Sequence, residues 1–311
     1  MTSFLPAPSA TGWKTTQWPF MFVLDTAGGS TGWVVIHAPI QSPARIAQYS
    51  QFCRRGFSFL GMTSFLNFPA LDEPSTLDYT AICQGWAHCF RDPDRLLPAG
   101  VPRMLLSLSD FIDPAQITPH RYPAPADPAE RFDFVYVGAH EPWKMLAKNW
   151  PLAARCLPRL CGEMGLRGLM IGQRPQRVPA LPGLVVRPWL PYPDWLRILG
   201  ASRFLFVPNE LDASPRVLAE ALCLNTPLLV NHSLLGGWKY VAPTTGVFFE
   251  SEHDVVDRAW HLYRGSYRPR PFFLSQYGPQ RAGRRLRILL NRIDPSLPAR
   301  SSLRLGYSLD G

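Results

Sequence analysis

The stretch RFLFVPNELDASPRVLAEALCLNTPLLVN, residues 203 to 231, reads as strand, loop, helix and strand. RFLFVP is a short run of β-prone residues, and PLLVN is another. Between them, SPRVLAEALCL has helical spacing of apolar positions, with Ser214 as a helix cap and Pro215 in the first turn. Two carboxylates punctuate this unit. Asp212 falls in the loop at the carboxyl end of the first strand, and Glu220 follows after seven intervening residues, inside an otherwise apolar helix. A carboxylate in such company costs several kcal/mol unless it is paired or hydrogen-bonded. Two readings of Glu220 stay open: the vicinal hydroxyls of a ribose would suit it, and so would Arg216, four residues earlier on the same helix face.

The same alternation extends outward. FDFVYVG, GLMIG, LVVRP and VFFE are further strand-like runs, separated by helical segments such as LAARCLPRLCGEMG and YPDWLRILGA. Short β-prone runs alternating with helices imply a parallel sheet with crossover helices, so residues 132–294 are expected to form a doubly wound, Rossmann-like domain that includes the final helices. DPAQITPHRYPAPADPAER, residues 113–131, carries five prolines that deny a long helix or central strand, and reads as a linker. Before it, FMFVL, WVVIHA, FSFLG and MLLSL suggest a smaller α/β domain over residues 1–112. Residues 295–311 read as a tail.

The totals narrow the function classes. With 311 residues and 46% hydrophobic content, the chain can bury two cores. Its formal charge is +9, carried almost entirely by arginine, since Lys14, Lys144, Lys148 and Lys239 are the only lysines. Arginine suits phosphates, carboxylates and anionic surfaces, and an ordinary solvated face accounts for the charge equally well. The six cysteines include no C-x-x-C pair, which argues against a zinc site or a redox dithiol and leaves them as reduced thiols. The first residues lack a basic segment before an apolar core, and no apolar run reaches a membrane-spanning length, so a cytoplasmic protein is expected, with peripheral membrane contact open.

In parallel α/β sheets, ligands sit beyond the carboxyl ends of the strands. Gly138 ends FDFVYV, and the loop after it supplies Lys144 and Lys148 just before the helix start at Asn149; Lys148 is either a phosphate ligand or a solvated lysine near a cap. Gly172 ends GLMI, with Gln173 and Arg174 behind it, and permits close backbone approach. Trp189 and Tyr192 are possible walls for a nucleobase, or packing aromatics. Elsewhere, DTAGGSTG (25–32) is either a phosphate-facing glycine loop or a simple turn. His88 lines a cleft or packs in the core, and Asp92-Pro93-Asp94 reads as a turn rather than a metal-binding pair.

The order strand, glycine, Lys148, strand ending in Gly172, LVVRPWLPY and the 203–231 unit resembles the nucleotide-binding domain of the group 1, retaining, GT-B-fold glycosyltransferases. Their E-x7-E signature is matched by Asp212-x7-Glu220, followed by A-L-C-L-N-T-P-L-L-V with Asn225 where glycine is usual. The resemblance implies a GT-B-like α/β fold, two Rossmann-like doubly wound domains facing across a cleft with the N-terminal one short. It also implies roles. Lys148 would bind the donor diphosphate, Glu220 the ribose hydroxyls and Asp212 the transferred sugar. Ala213 and Ser214 would offer backbone N–H groups, with Gly138, Gly172 and Arg216 completing the donor site. The chain departs from the family at Ala139, which stands where an arginine is frequent, at Asp212 for glutamate, and in its short first domain. LLSLSDF (105–111) resembles the family's last strand and serine-bearing loop before the interdomain linker.

The expected function is therefore transfer of a sugar from a nucleoside-diphosphate sugar to a carbohydrate or lipid-linked acceptor, with retention and with neither metal nor other cofactor. Two alternatives stand beside it. One is a GT-B-like protein that binds nucleotides with weak or no turnover, motivated by Ala139 and Asp212. The other is a basic nucleic-acid- or membrane-binding protein, motivated by Arg281, Arg284, Arg285 and Arg292 along one terminal helix; no specific nucleic acid is expected.

Overall fold

The computed structural model describes residues 14–70, 77–138, 142–172, 180–297 and 302–309. In chain order, the described elements begin with β1 (Phe20–Leu24), β2 (Ser30–Ile36), α1 (Pro43–Arg54), β3 (Ser58–Met62), α2 (Tyr79–Ile82), β4 (Trp86–His88) and β5 (Arg103–Leu105). There follow β6 (Phe134–Val137), α3 (Pro142–Ala147), α4 (Trp150–Pro158), β7 (Gly168–Ile171), β8 (Leu184–Arg187), α5 (Tyr192–Ala201), β9 (Phe204–Val207) and α6 (Arg216–Cys223). The series ends with β10 (Leu228–Asn231), β11 (Gly246–Phe249), α7 (Val255–Arg264), α8 (Pro269–Gln276), α9 (Pro279–Ile293) and β12 (Arg304–Gly306). The chain divides into two compact units. The first is Met1–His88, Asp92–Leu106 and Gln280–Gly311, and the second is Cys89–Arg91 and Ser107–Pro279.

The second unit is built on a parallel sheet of order β11-β10-β9-β6-β7-β8. Counted from its own first strand this is 3-2-1-4-5-6, the order of doubly wound dinucleotide-binding sheets, so the winding direction reverses between β6 and β9. Alternate residues of each strand feed two cores. Val135, Leu169, Ile171, Leu205 and Val230 meet Leu196 and Leu199 of α5 and Leu218 and Leu222 of α6. On the other face Phe134, Tyr136, Met170, Phe206 and Phe249 meet Leu152 and Leu157 of α4 and Val255 and Leu262 of α7. Strands buried on both faces must be apolar throughout, which is why these runs lack polar alternation.

The first unit has the sheet order β12-β1-β2-β3-β4-β5, parallel from β2 to β5, with β1 antiparallel to both β12 and β2. Its interior is aromatic. Phe20, Phe22 and Phe57 surround Phe52 of α1, and Trp86 lies so close over Gly61 that a Cβ there would sit 2.4 Å from the indole.

The units divide differently from the sequence expectation. The terminal helix α9 packs in the first unit, not the second: Gly85 lies where a Cβ would come within 2.5 Å of Ile293, and Gly283 where one would meet the Leu303 carbonyl at 2.1 Å. An amphipathic pattern states that a helix has a buried face, not which sheet receives it. The proline-rich 113–131 segment lies within the second unit, where Ile117 is buried in the core and the Arg270 guanidinium donates to the carbonyls of Pro114 (3.0 Å) and Ile117 (2.9 Å). DTAGGSTG forms the β1–β2 hairpin turn, in which Asp25 Oδ1 accepts from the N–H groups of Ala27 and Gly29, both at 2.8 Å.

Candidate functional site

The reversal between β6 and β9 brings Val137, Lys148, Val207, Asn209 and Val217 together around a narrow gap toward the carboxyl edge of the second unit's sheet, with Leu205 and Phe206 at its base. Each wall has a local cause. Gly138 directly follows β6, and a Cβ there would sit 2.6 Å from the Met170 methyl group. Gly172, directly after β7, has φ +117°, and a Cβ there would lie 3.1 Å from the Gly138 carbonyl and 3.6 Å from the Trp189 ring. Only glycine combines that backbone angle with that proximity. Gln173, Arg174 and Ala139 lie outside the described residues.

Lys148 reaches this gap because the Lys144 carbonyl accepts its N–H (2.8 Å) at the end of α3, and because Asn149 then takes a left-handed conformation and caps α4 through its side chain. The Lys148 ammonium lies 2.7 Å from Asp212 Oδ2, with both side chains 18% exposed. The buried Asn209 amide donates to the same oxygen at 3.0 Å. The loop bearing Asp212 is held on both sides. Glu210 N–H donates to the Ala147 carbonyl (3.1 Å), Leu235 N–H to the Glu210 carbonyl (2.7 Å) and Gly236 N–H to the Asp212 carbonyl (3.0 Å).

Glu220 lies on α6, 3% exposed, and both its oxygens are occupied. Oε1 accepts from the Tyr192 hydroxyl (2.8 Å) and from Arg216 Nε (3.0 Å), and Oε2 accepts from the Trp195 indole (3.2 Å). The helical Arg216 pair anticipated from spacing is thus present, joined by two donors from α5. Burial, reinforced by the Glu220 charge, pushes the Tyr192 phenol up to about 12, so it remains a donor at neutral pH.

Ser214 does not cap α6. That helix begins at Arg216 after Pro215, and the Ser214 hydroxyl turns to Ser109 instead, accepting from its N–H (3.1 Å) and lying 2.6 Å from its hydroxyl. Ala213 is buried, and its carbonyl is met by Gly236 so closely that a Cβ on Gly236 would sit 1.9 Å from it. Asn225, standing where glycine was expected, takes φ +66°, a conformation asparagine tolerates better than most residues.

Sequence reasoning missed three supports of this edge: Asn209, Gly236, and the buried pair of Asp110 with Lys239 (2.6 Å), to which the Tyr240 hydroxyl also donates. The first two stand within or near recognisable turns, but Asp110 and Lys239 are far apart in sequence and give no local signal. Other candidates resolve more simply. Asp94 is exposed and pairs with Arg103 at 2.6 Å, with Asp92 just before a short helical turn. His88 is buried at the end of β4. Burial pushes the Cys89 and Cys223 thiols up to about 12, which removes both as nucleophiles at neutral pH. Among the described residues no cluster of three or more His, Cys, Asp or Glu could hold a metal, and no helix is long and apolar enough to cross a membrane.

No protein-family model and no curated protein sequence matches the chain. Solved structures do. AviGT4, a glycosyltransferase involved in avilamycin A biosynthesis, superposes with a TM-score of 0.52 at 16% identity, over 86% of this chain and 73% of that one. The apo form of WaaB, a lipopolysaccharide outer core galactosyltransferase, gives 0.56 at 11% identity, over 79% and 72%. Anabaena Alr3699/HepE, in complex with UDP and glucose, gives 0.55 at 8% identity, over 83% and 78%. The two parallel-rich α/β units are those of the GT-B glycosyltransferase fold.

Proposed function

We propose that the chain is a glycosyltransferase that takes a sugar from a nucleoside-diphosphate donor and delivers it, with retention, to a hydroxyl-bearing carbohydrate or lipid-linked acceptor. The observation that carries this reading is the Lys148–Asp212 contact of 2.7 Å at the β6–β9 reversal, the place in such sheets where nucleotides bind. The fold neighbours support it: one is described as a galactosyltransferase and another holds UDP and glucose.

In this reading Lys148 exchanges the single charge of Asp212 for the larger charge of the donor diphosphate. When the anomeric C–O bond breaks, its electron pair remains on the diphosphate, and a preorganised ammonium beside that oxygen lowers the barrier. Asp212, released from Lys148, is free to accept hydrogen bonds from the transferred sugar. Glu220 takes the ribose hydroxyls, Arg216 stays beside it, and Ala213 and Ser214 offer their backbone N–H groups. Gly138 and Gly172 keep the strand ends low enough for the nucleotide to approach the backbone.

The test is incubation with a panel of nucleotide sugars while free nucleoside diphosphate and the anomeric configuration of the product are followed. Sugar-dependent release that is lost in Asp212→Ala and Lys148→Ala supports transfer. Binding of nucleotides without any release would leave a nucleotide-binding protein that does not turn over.

A further inference from the structure

The Tyr192 hydroxyl occupies a carboxylate oxygen of Glu220 that the proposed ribose would need. The three donors on Glu220 differ in how firmly they are held. Trp195, on the buried face of α5, is 8% exposed and anchored in the core, so its indole bond to Oε2 is part of the scaffold. Arg216 is tied to Glu220 by their shared helix. Tyr192 is different. It is the first residue of α5, directly after the loop that follows the carboxyl end of β8, and 43% of it is exposed, although its hydroxyl reaches a carboxylate that is itself buried. A half-exposed ring can swing outward; a core indole cannot.

We propose that Tyr192 is a specificity-determining residue of the nucleotide site: its phenol stands on Glu220 Oε1 in place of a ligand hydroxyl, and a ligand displaces it only by bringing a sugar hydroxyl of its own. The proposal rests on the transferase reading for the role of Glu220. Its chemistry is an exchange of one hydroxyl donor for another, so no charge moves and the partner must itself be a hydroxyl. A ribonucleotide offers two such groups and replaces the phenol without loss. A dideoxynucleotide offers none, and would leave either Tyr192 in place or the carboxylate short of a donor, which is costly in a buried setting. Apparent affinity falls by the fraction of molecules in which the oxygen is available, so removing the competing hydroxyl raises it. The Arg216 guanidinium lies 5.8 Å from the Tyr192 ring centre in this hydrogen-bonded position, so Tyr192 and Arg216 share the Glu220 carboxylate side by side.

The experiment is calorimetric titration of the full chain and of Tyr192→Phe with UDP, GDP and ADP, and with their 2′,3′-dideoxy counterparts. The phenylalanine variant keeps the ring and its packing and loses only the hydroxyl; a melting curve shows that it is folded. The expected result is that Tyr192→Phe binds the best ribonucleotide about ten-fold tighter than the parent, a shift of about 1.4 kcal/mol, with no such gain for the dideoxy form. Unchanged or weaker ribonucleotide binding in Tyr192→Phe, or an equal gain for both sugars, overturns this inference and leaves the transferase reading standing. If neither protein binds any of the nucleotides, the donor-site reading fails and this inference falls with it.

Discussion

The carboxyl edges of the two sheets are furnished in opposite ways. In the second unit the edge is charged and internally satisfied: Lys148 on Asp212, Asn209 on the same oxygen, and three donors on Glu220. In the first unit the ends of β2 and β3 carry neutral groups, His37, Thr63 and Ser64, and His37 Nε2 and Thr63 Oγ1 have no hydrogen-bonding partner among the described residues. The imidazole is oriented by a 3.2 Å contact between Nδ1 and the Ser64 hydroxyl, and burial lowers its pKa to about 4. A charged edge can trade its internal ion pair for an anionic ligand. A neutral one has no ion pair to trade, and what it stores instead is a dependence on pH.

That dependence should be large. Below pH 6.5 the unfolded imidazole binds a proton while the folded one stays neutral until about pH 4. The unfolded state then holds more protons, so stability falls as the pH drops through this window, by about 3 kcal/mol in total at 1.36 kcal/mol per pKa unit. Denaturant midpoints of the first unit measured from pH 7 to pH 4 should show this slope, and His37→Gln should flatten it; an unchanged slope in the variant would remove His37 from the account.

On the charged edge, Gly236→Ala drives a methyl group into the Ala213 carbonyl and should cost roughly 2–3 kcal/mol of second-unit stability, read as a lower denaturant midpoint at constant slope. Glu220→Ala leaves the buried Trp195 indole without an acceptor and should cost about 2 kcal/mol, with nucleotide binding lost as well. Lys148→Ala should be the mildest of these for stability, about 1 kcal/mol, because the pair is partly solvated and Asn209 still donates to the Asp212 carboxylate that remains. Were Lys148→Ala to destabilise more than Glu220→Ala, the picture of an exchangeable Lys148 beside a scaffolded Glu220 would be reversed.

The sequence was legible where structure is local. RFLFVP and PLLVN are neighbouring strands β9 and β10, and the helix between them holds Glu220 and Arg216 on one face, because each relation spans only a few residues. The contact between Lys148 and Asp212 was expected only as proximity to a common ligand; that they bond each other follows from strand order, which no local pattern encodes. The Tyr192 and Trp195 donors to Glu220 come from a different helix, and the Lys239–Asp110 pair joins segments more than a hundred residues apart, so neither left a trace in spacing. Ser214 shows the converse. A good cap in a good position lost to a competing partner, Ser109, supplied by tertiary structure. The destination of α9 was hidden for the same reason, since Gly85 and Gly283 explain its packing only once their neighbours are known.

The most direct test of the central claim is calorimetric titration of UDP, GDP and ADP into the intact chain and into Lys148→Ala. Saturable binding of at least one of them is expected, weakened about ten-fold or more when the ammonium is removed, as for a lost charge-assisted contact to phosphate. No binding by the intact chain, or equal affinity in Lys148→Ala, would contradict it.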